Sequence, residues 1–281
     1  MPNSSTDKSF SHDHVVLDDG AVAFKCSDDE EKWTWLKLHP ANNIVVQMMN
    51  YWCSVETGSA RGTLDPDKWS ALTQCSWRTF ALAPNASHAT HGVALPSADE
   101  TAPSFNMIFF GADGGPVYRL NGAGVVFQTR DFESWRAKAK AKAALLPDPD
   151  GFAPASPDRL GVETPIECLV SDVHDIDGAQ SVEALVTKEN GFAPGHPYHG
   201  GSGDHVNAGH LLDAAQQAAR ILSGGRMTVC AGGEAAFRHY VELGRAFRIT
   251  KAAEPAPDEI ALTFHQGDQL CANVTMKFAS L

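Results

Sequence analysis

The chain has 281 residues, of which 43% are hydrophobic and 20% charged, a composition typical of a globular protein with a sizeable core. The formal net charge of −12 argues against nucleic-acid binding, because phosphate contacts need clustered Lys and Arg. No apolar stretch approaches the roughly 20 residues that span a bilayer, and the start has no apolar signal region, so we expect a cytoplasmic protein without a membrane partner.

The first half of the chain predicts one long helix followed by strands. Residues 1–14 are polar and are expected to be loose. An apolar helix is predicted over residues 43–56. Aromatic and β-branched residues between Gly turns then predict strands at 72–82, 104–110 and 117–129.

Between the halves lies a segment with a different composition. Residues 135–146 combine strong helix formers with basic residues near the end, which predicts a helix. Residues 147–165 are rich in Pro, Asp and Ala, which is typical of a linker. The predicted domains are therefore 1–146 and 166–281, joined by the linker 147–165.

The second half repeats the plan of the first. A helix is predicted over residues 210–223, and its apolar residues cover more than one face, which indicates a buried helix. Strands are predicted at 166–172 and 182–188 before the helix, and at 226–230, 235–249, 259–265 and 270–278 after it. The predicted fold class is α+β, with each half an antiparallel sheet wrapped around one long central helix.

Polar residues keep the same spacing in the two halves, which indicates a duplicated unit. In each half, a His precedes a polar residue by eight positions, and an amide residue follows three later. The two sets are His39, Gln47 and Asn50 in the first half and His205, Asp213 and Gln216 in the second. Both halves also close with a glycine turn and a strand ending in Phe.

The second predicted helix carries a family motif. Residues 211–217 (LLDAAQQ) resemble the second motif of polyketide-synthase dehydratase domains, in which Asp is followed four residues later by Gln, as Asp213 is by Gln217. The segment is also similar to the central helix of β-hydroxyacyl carrier-protein dehydratases. These resemblances imply two tandem hotdog domains, a double hotdog, acting on an acyl thioester of an acyl carrier protein or CoA in polyketide or fatty-acid-like metabolism.

A second family matches the loop before that helix. Residues 204–219 (DHVNAGHLLDAAQQAA) are similar to the hotdog repeats of the A-factor synthase family, which transfer a β-ketoacyl group onto a small alcohol. The resemblances cover most of residues 160–281, and the first half matches weakly. Asn207 and Ala208 stand where the families place Pro-Gly, and Gln47 stands where a carboxylate could sit. We therefore expect one of the two possible active sites to be lost or changed.

The dehydratase resemblance assigns roles to the motif residues. In paired hotdogs the His of one unit meets the acid of the other, which implies that His39 pairs with Asp213 and that His205 faces Gln47. Elimination of water needs a base and an acid, and burial can raise a carboxyl pKa enough to make it an acid. His39 is the predicted base, Asp213 the acid, and Gln217 the residue that orients it.

Other residues have competing interpretations. His199 lies fourteen residues before Asp213, the spacing of the fatty-acid dehydratases, and is the alternative base. His205 fits the A-factor family, but a His in a Gly-rich loop can also simply satisfy local hydrogen bonds. Gly209, at the helix N-terminus where amides could bind the thioester carbonyl, and Gln47 are predicted to contact substrate.

Several motifs of other enzyme classes are missing from the sequence. The His-rich segment 196–210 lacks helical i, i+4 pairs and cysteine partners, so no metal is expected. The glycines at 111–115 lack a phosphate-loop pattern, no cofactor is expected, and no Gly-x-Ser-x-Gly elbow points to a serine hydrolase. None of the six cysteines forms a CxxC pair, so free thiols are expected.

The leading hypothesis is a lyase that dehydrates a β-hydroxyacyl thioester. The alternatives are an A-factor-like acyltransferase or condensing enzyme, an acyl thioesterase, and a non-catalytic hotdog that binds acyl chains. An acidic carrier protein would need a basic docking patch on this acidic chain, and the candidates are Arg136, Lys138, Lys140, Lys142, Arg238 and Arg245. The expected state is a monomeric pseudo-dimer or a homodimer.

Overall fold

The computed structural model describes residues 8–64, 69–96, 104–127, 132–162, 166–176, 178–200 and 203–279. The first half contains β1 (Ser11–Val16), β2 (Val22–Cys26), a 3₁₀ helix (Thr34–Lys37), α1 (Asn43–Arg61), β3 (Trp69–Thr79), β4 (His91–Leu95), β5 (Ser104–Phe110) and β6 (Pro116–Phe127). The helices α2 (Phe132–Ala143) and α3 (Pro157–Leu160) follow. The second half contains β7 (His174–Ile176), β8 (Ala179–Ala184), α4 (Ala208–Leu222), β9 (Cys230–Phe237), β10 (Phe247–Ala256), β11 (Glu259–Gln266) and β12 (Gln269–Phe278).

The strands form one continuous sheet with a symmetric order. The order is β1-β2-β4-β5-β6-β3-β9-β12-β11-β10-β8-β7. Within the described ranges, each half therefore contributes six strands in the same arrangement, read from opposite edges. The halves join where β3 pairs antiparallel with β9, with Gln74 opposite Ala236 and Ser76 opposite Glu234. The predicted duplication and the α+β class with an antiparallel sheet and a central helix in each half are confirmed.

Each central helix begins at an asparagine cap. The side chain of Asn42 accepts a hydrogen bond from the Ile44 amide, and that of Asn207 accepts one from the His210 amide. The helix α1 ends at Gly62, whose φ of 77° is the left-handed conformation that favours glycine. In α4 the small residues Ala214, Ala215, Ala218 and Ala219 are fully buried, which lets the surrounding elements approach the helix closely.

The two central helices pack against each other near their N-termini. The side-chain amide of Asn43 donates to the Leu212 carbonyl at 3.2 Å, and its backbone amide donates to Gln216 Oε1 at 3.3 Å. At the other end of this contact, a Cβ on Gly209 would lie 2.6 Å from Met48 Cε. The start of α1 therefore lies beside the middle of α4.

The N-terminal segment differs from the sequence prediction. Residues 11–14, expected to be loose, belong to the edge strand β1, while residues 1–7 lie outside the described part of the chain. Phe10 is fully buried against Trp33 and Trp35, with ring centroids at 5.2 and 4.9 Å. The Glu56 carboxylate accepts hydrogen bonds from the amides of Phe10 and Ser11, both at 2.7 Å, and holds the segment on α1.

Other element boundaries also differ from the sequence prediction. Residues 226–229 are irregular, and the strand predicted over 235–249 is divided into β9 and β10 by a loop at 238–246. Residues 166–172 form only an isolated bridge between Val170 and Ala184. The helix predicted over 135–146 is confirmed as α2, whereas the domain and linker boundaries stay predictions, with residues 163–165 outside the described ranges.

None of the helices in the described ranges is both long and apolar enough to span a bilayer.

Candidate functional site

Asp213 is a buried carboxyl on α4. Its side chain is only 4% exposed, and its Oδ2 accepts a hydrogen bond from Gln217 Nε2 at 3.2 Å. Burial raises the pKa of Asp213 to about 7, and the hydrogen bond from Gln217 opposes that rise. A carboxyl with this pKa can give or take a proton near neutral pH, which is what general acid–base chemistry needs.

Gln217 is held by the backbone that precedes β7. Its Oε1 accepts from the Leu169 amide at 2.8 Å, and its Nε2 also donates to the Glu167 carbonyl at 2.9 Å. These two bonds fix which end of the amide faces Asp213. The predicted proximity of Asp213 and Gln217 is therefore present, while their role in catalysis stays a prediction.

Cys168 is a neighbour of Asp213 that no motif in the sequence indicates. It is partly exposed and lies between the two residues whose backbone holds Gln217. Burial raises the pKa of its thiol, and the charges of Glu167 and Asp213 raise it further. A neutral thiol is a poor nucleophile, so this environment does not activate Cys168. Forty-five positions separate Cys168 from Asp213, and no sequence pattern relates them.

His39 lies three residues before the Asn42 cap, at the end of α1 that contacts α4. Its Nε2 donates to the Ala83 carbonyl at 2.8 Å, and its Nδ1 accepts from the Ala41 amide at 3.1 Å. These bonds define a neutral ring with the proton on Nε2. To act as a base, His39 must release the Ala41 amide from Nδ1, and its pairing with Asp213 stays a prediction.

His205 lies beside Asp204 and a buried arginine. Its Nδ1 hydrogen-bonds the Asp204 carboxylate and lies 3.5 Å from Arg136 Nη1. The ring packs edge-on against Tyr240, with the centroids 4.3 Å apart. An imidazole held by a carboxylate at one nitrogen has a fixed orientation, an arrangement found around catalytic bases.

Arg136 is the centre of this group. It is 1% exposed, forms ion pairs with Asp204 and Glu242, and lies over the Tyr240 ring at 4.5 Å from the centroid. From the sequence, Arg136 is a candidate for an exposed basic docking patch. That interpretation is wrong for Arg136, because its ion pairs bury it between α2 and the segments around Asp204 and Glu242.

His199 is buried without hydrogen bonds to its ring. It is 4% exposed, and neither ring nitrogen has a hydrogen-bond partner among the residues that the structure describes. The ring stacks on His196 at 4.3 Å between centroids. Burial lowers the pKa of His199 to about 4, with smaller contributions from His196 and His210, so the ring is neutral at neutral pH.

Gln47 and Gly209 lie where the helices meet. Gln47 is buried, and its Oε1 accepts from Asn50 Nδ2 at 3.3 Å, one turn further along α1. Gly209 is buried, and a Cβ there would lie 2.6 Å from the terminal methyl of Met48, so a larger residue would displace that side chain. Their predicted contact with substrate stays a prediction.

A separate surface depression of about 410 Å³ is lined by residues including Arg226, Asp258 and Phe278, and none of the predicted site residues borders it. Within the described ranges, no group of three or more His, Cys, Asp or Glu side chains is arranged to hold a metal ion.

Comparison with known proteins defines the fold class. No protein-family model and no curated protein matches the sequence. A six-stranded antiparallel unit around one long helix, present twice in one chain and joined into a single sheet, is the double hotdog fold, as predicted.

Three solved structures show the likeness. A putative oleoyl thioesterase from Lactobacillus plantarum is 13% identical, covers 85% of this chain and 88% of its own, and has a TM-score of 0.53. An acyl-ACP thioesterase from Bacteroides thetaiotaomicron is 10% identical, with coverages of 92% and 97% and a TM-score of 0.53. The dehydratase domain of RzxB from Pseudomonas fluorescens is 12% identical, with coverages of 96% and 98% and a TM-score of 0.50. At these identities the likeness concerns the fold.

Proposed function

We propose that the protein dehydrates a β-hydroxyacyl thioester, with Asp213 as the acid that protonates the leaving hydroxyl. The observation that carries the proposal is the buried carboxyl with a pKa of about 7, held at Oδ2 by Gln217. This bond leaves Oδ1 to carry a proton toward a substrate. Burial raises the pKa of Asp213 far enough for the acid form to be populated near neutral pH, which proton donation to a leaving hydroxyl requires.

His39 is the proposed base. The position of His39 supports this role. His39 lies just before α1, and the first residue of α1 contacts Leu212 and Gln216, which are within one turn of Asp213 on α4. In the reaction, Nδ1 takes the proton from the α-carbon and the C–O bond at the β-carbon breaks. The hydroxyl leaves as water with the Asp213 proton, and a carbon–carbon double bond forms. Solvent exchange returns the proton from the imidazolium to the carboxylate.

The proposed substrate is the thioester of an acyl carrier protein or of CoA. Support comes from the double hotdog fold, which this chain shares with an acyl-ACP thioesterase and a dehydratase domain. The proposed setting is polyketide or fatty-acid-like specialised metabolism.

Acyl transfer is a second candidate, favoured by the hydrogen bond between Asp204 and His205. In that reaction His205 would take the proton from an alcohol while the alcohol oxygen attacks the thioester carbonyl. The C–S bond would then break, leaving an ester, and the proton on His205 would pass to the sulfur, which leaves as the free thiol. The products differ from those of dehydration, since acyl transfer releases the thiol and dehydration keeps the thioester.

The test is intact-mass analysis of a β-hydroxyacyl carrier protein after incubation with the protein. We expect the wild type to remove one water from the carrier-bound acyl group and Asp213→Asn to lose this activity. Asp172→Asn, which removes an exposed carboxylate that pairs with Arg159, is the matched control and should behave as wild type. An unchanged acyl mass without added alcohol, or loss of the whole acyl group, would refute the dehydratase proposal.

A further inference from the structure

Three residues between α1 and the segment before α4 carry shielded polar atoms without partners. Within the described part of the chain, Asn50 Oδ1, Asn207 Nδ2 and both ring nitrogens of His199 form no hydrogen bond of normal geometry, and the Ala193 backbone lies close enough to the His199 ring to affect its pKa. Buried polar atoms in folded proteins are normally paired with protein, water or a ligand. Four such atoms in one region indicate that something polar binds there.

A chain of contacts connects these residues. Asn50 donates to Gln47, and Gln47 Cβ is 3.8 Å from the position of a Cβ on Gly209. The side chain of Asn207 lies 3.5 Å from that same position. The loop that carries His199 packs on α1 beside Asn50, because a Cβ on the adjacent Gly200 would overlap the Tyr51 ring.

This region resembles the Asp213 site in the spacing of its polar residues. Gln47 and Asp213 occupy the same position of the repeated pattern, and each accepts a hydrogen bond from an amide side chain one turn later on its own helix. The difference is charge. Gln47, Asn50 and Asn207 cannot ionise, and burial keeps His199 neutral. The region thus offers donors and acceptors but no acid.

We propose that this region, made by Gln47, Asn50, His199 and Asn207, is a second binding site that holds a β-hydroxyacyl thioester without converting it. The identity of the ligand rests on the proposed function. A β-hydroxyacyl thioester has a hydroxyl that donates and accepts and a carbonyl that accepts. Asn207 Nδ2 and the N–H of His199 can donate to these oxygens, and Asn50 Oδ1 can accept from the hydroxyl. Elimination does not follow, because the amide of Gln47 is too weak an acid to protonate a leaving hydroxyl.

The second site lies just under the surface. Tyr51, which covers Gly200, is 40% exposed, and the exposed His196 stacks directly on His199. Movement of the Tyr51 and His196 side chains would open a route to the unpaired atoms without disturbing the central helices.

The test counts binding sites by isothermal titration with 3-hydroxyoctanoyl-pantetheine that carries an amide in place of the thioester. We expect two sites per chain in the wild type and in Asp213→Asn, and one in His199→Phe and in Asn50→Leu. Circular dichroism checks that each variant is folded. One site in the wild type, or two that persist in both His199→Phe and Asn50→Leu, would overturn the inference.

A measurement on the unaltered protein covers the case in which the variants fail to fold. In ¹⁵N-histidine spectra, we expect the ring signals of His199 to shift on addition of the probe, and unchanged signals at saturating probe would mean that water alone occupies the region. The mass assay separates the two proposals. If titration finds two sites but the mass assay finds no loss of water, the second binding site stands and the dehydratase proposal fails. If the mass assay finds loss of water but titration finds one site, the dehydratase proposal stands and the second site fails.

Discussion

Gln217 Nε2 donates to Asp213 Oδ2 at 3.2 Å, while Oε1 of the same amide accepts from the Leu169 backbone at 2.8 Å. One side chain thus connects the buried carboxyl of α4 to the segment that precedes β7. The pKa and the orientation of the proposed acid therefore depend on a loop far away in sequence, and this coupling can be tested.

Replacing Gln217 by Leu should raise the pKa of Asp213. The Gln217 hydrogen bond lowers that pKa, so its loss leaves the burial effect unopposed. If dehydration needs protonated Asp213, the basic limb of the pH–rate profile should move to higher pH. The plateau rate should fall by about tenfold, because the carboxyl loses a contact that orients it. Gln216→Leu is the control, since Gln216 binds the Asn43 amide instead, and it should leave the limb in place.

Asp213 should make stability fall as pH rises. Its folded pKa of about 7 exceeds its ordinary value of 3.8, so between these values the folded state binds more protons than the unfolded state. The free energy of unfolding should therefore decrease from pH 4 to pH 7. Urea unfolding should show Asp213→Asn gaining about 2 kcal/mol over wild type between pH 5 and pH 8. If the difference in unfolding free energy between the variant and the wild type were the same at pH 5 and pH 8, Asp213 would not be a buried carboxyl with a raised pKa.

The buried histidines should act in the opposite direction. Burial lowers the pKa of His199 and of His210 to about 4, so the unfolded state takes up protons first as pH falls below 6.5. Their contribution to stability is present above pH 6.5 and is lost toward pH 4. His199→Phe should reduce the drop in unfolding free energy between pH 7 and pH 4.5 by about 1–2 kcal/mol. If the drop in unfolding free energy were unaltered, His199 would have the same pKa in the folded and unfolded states.

Removal of Arg136 should destabilise the fold strongly. Arg136→Met removes the buried cation between Asp204 and Glu242 and leaves Asp204 with its more exposed partner Lys140, and breaking a buried ion pair costs about 3–5 kcal/mol. Lys138→Met, on the exposed face of the same helix, should change the unfolding free energy by less than about 0.5 kcal/mol. Adding Asp204→Asn and Glu242→Gln to Arg136→Met should recover part of the lost unfolding free energy. If none is recovered, the destabilisation comes from lost packing and not from the unpaired charges.

The sequence by itself determined the elements whose pattern is local. The strand β5 has its predicted bounds, α1 and α4 begin at or within two residues of the predicted starts, and the pairing of Asp213 with Gln217 follows from their i, i+4 spacing on one helix. The duplication could also be detected, because equal spacings survive where identity is low. The polar sets lie 166 residues apart and the helix caps Asn42 and Asn207 lie 165 apart, so Gln47 and Asp213 differ by one position on their helices.

Only the tertiary structure decided where distant segments meet. The edge strand β1 has a polar sequence and forms because Glu56 and the Trp33 region hold Phe10. Arg136 carries no sign of burial in its basic helix, since the carboxylates that pair with it lie 68 and 106 residues away. The backbone bonds of His39 likewise depend on a loop 44 residues further on. Hydrogen bonds and ion pairs across such separations leave no periodic pattern in the chain, so their partners become known only when the sheet has brought them together.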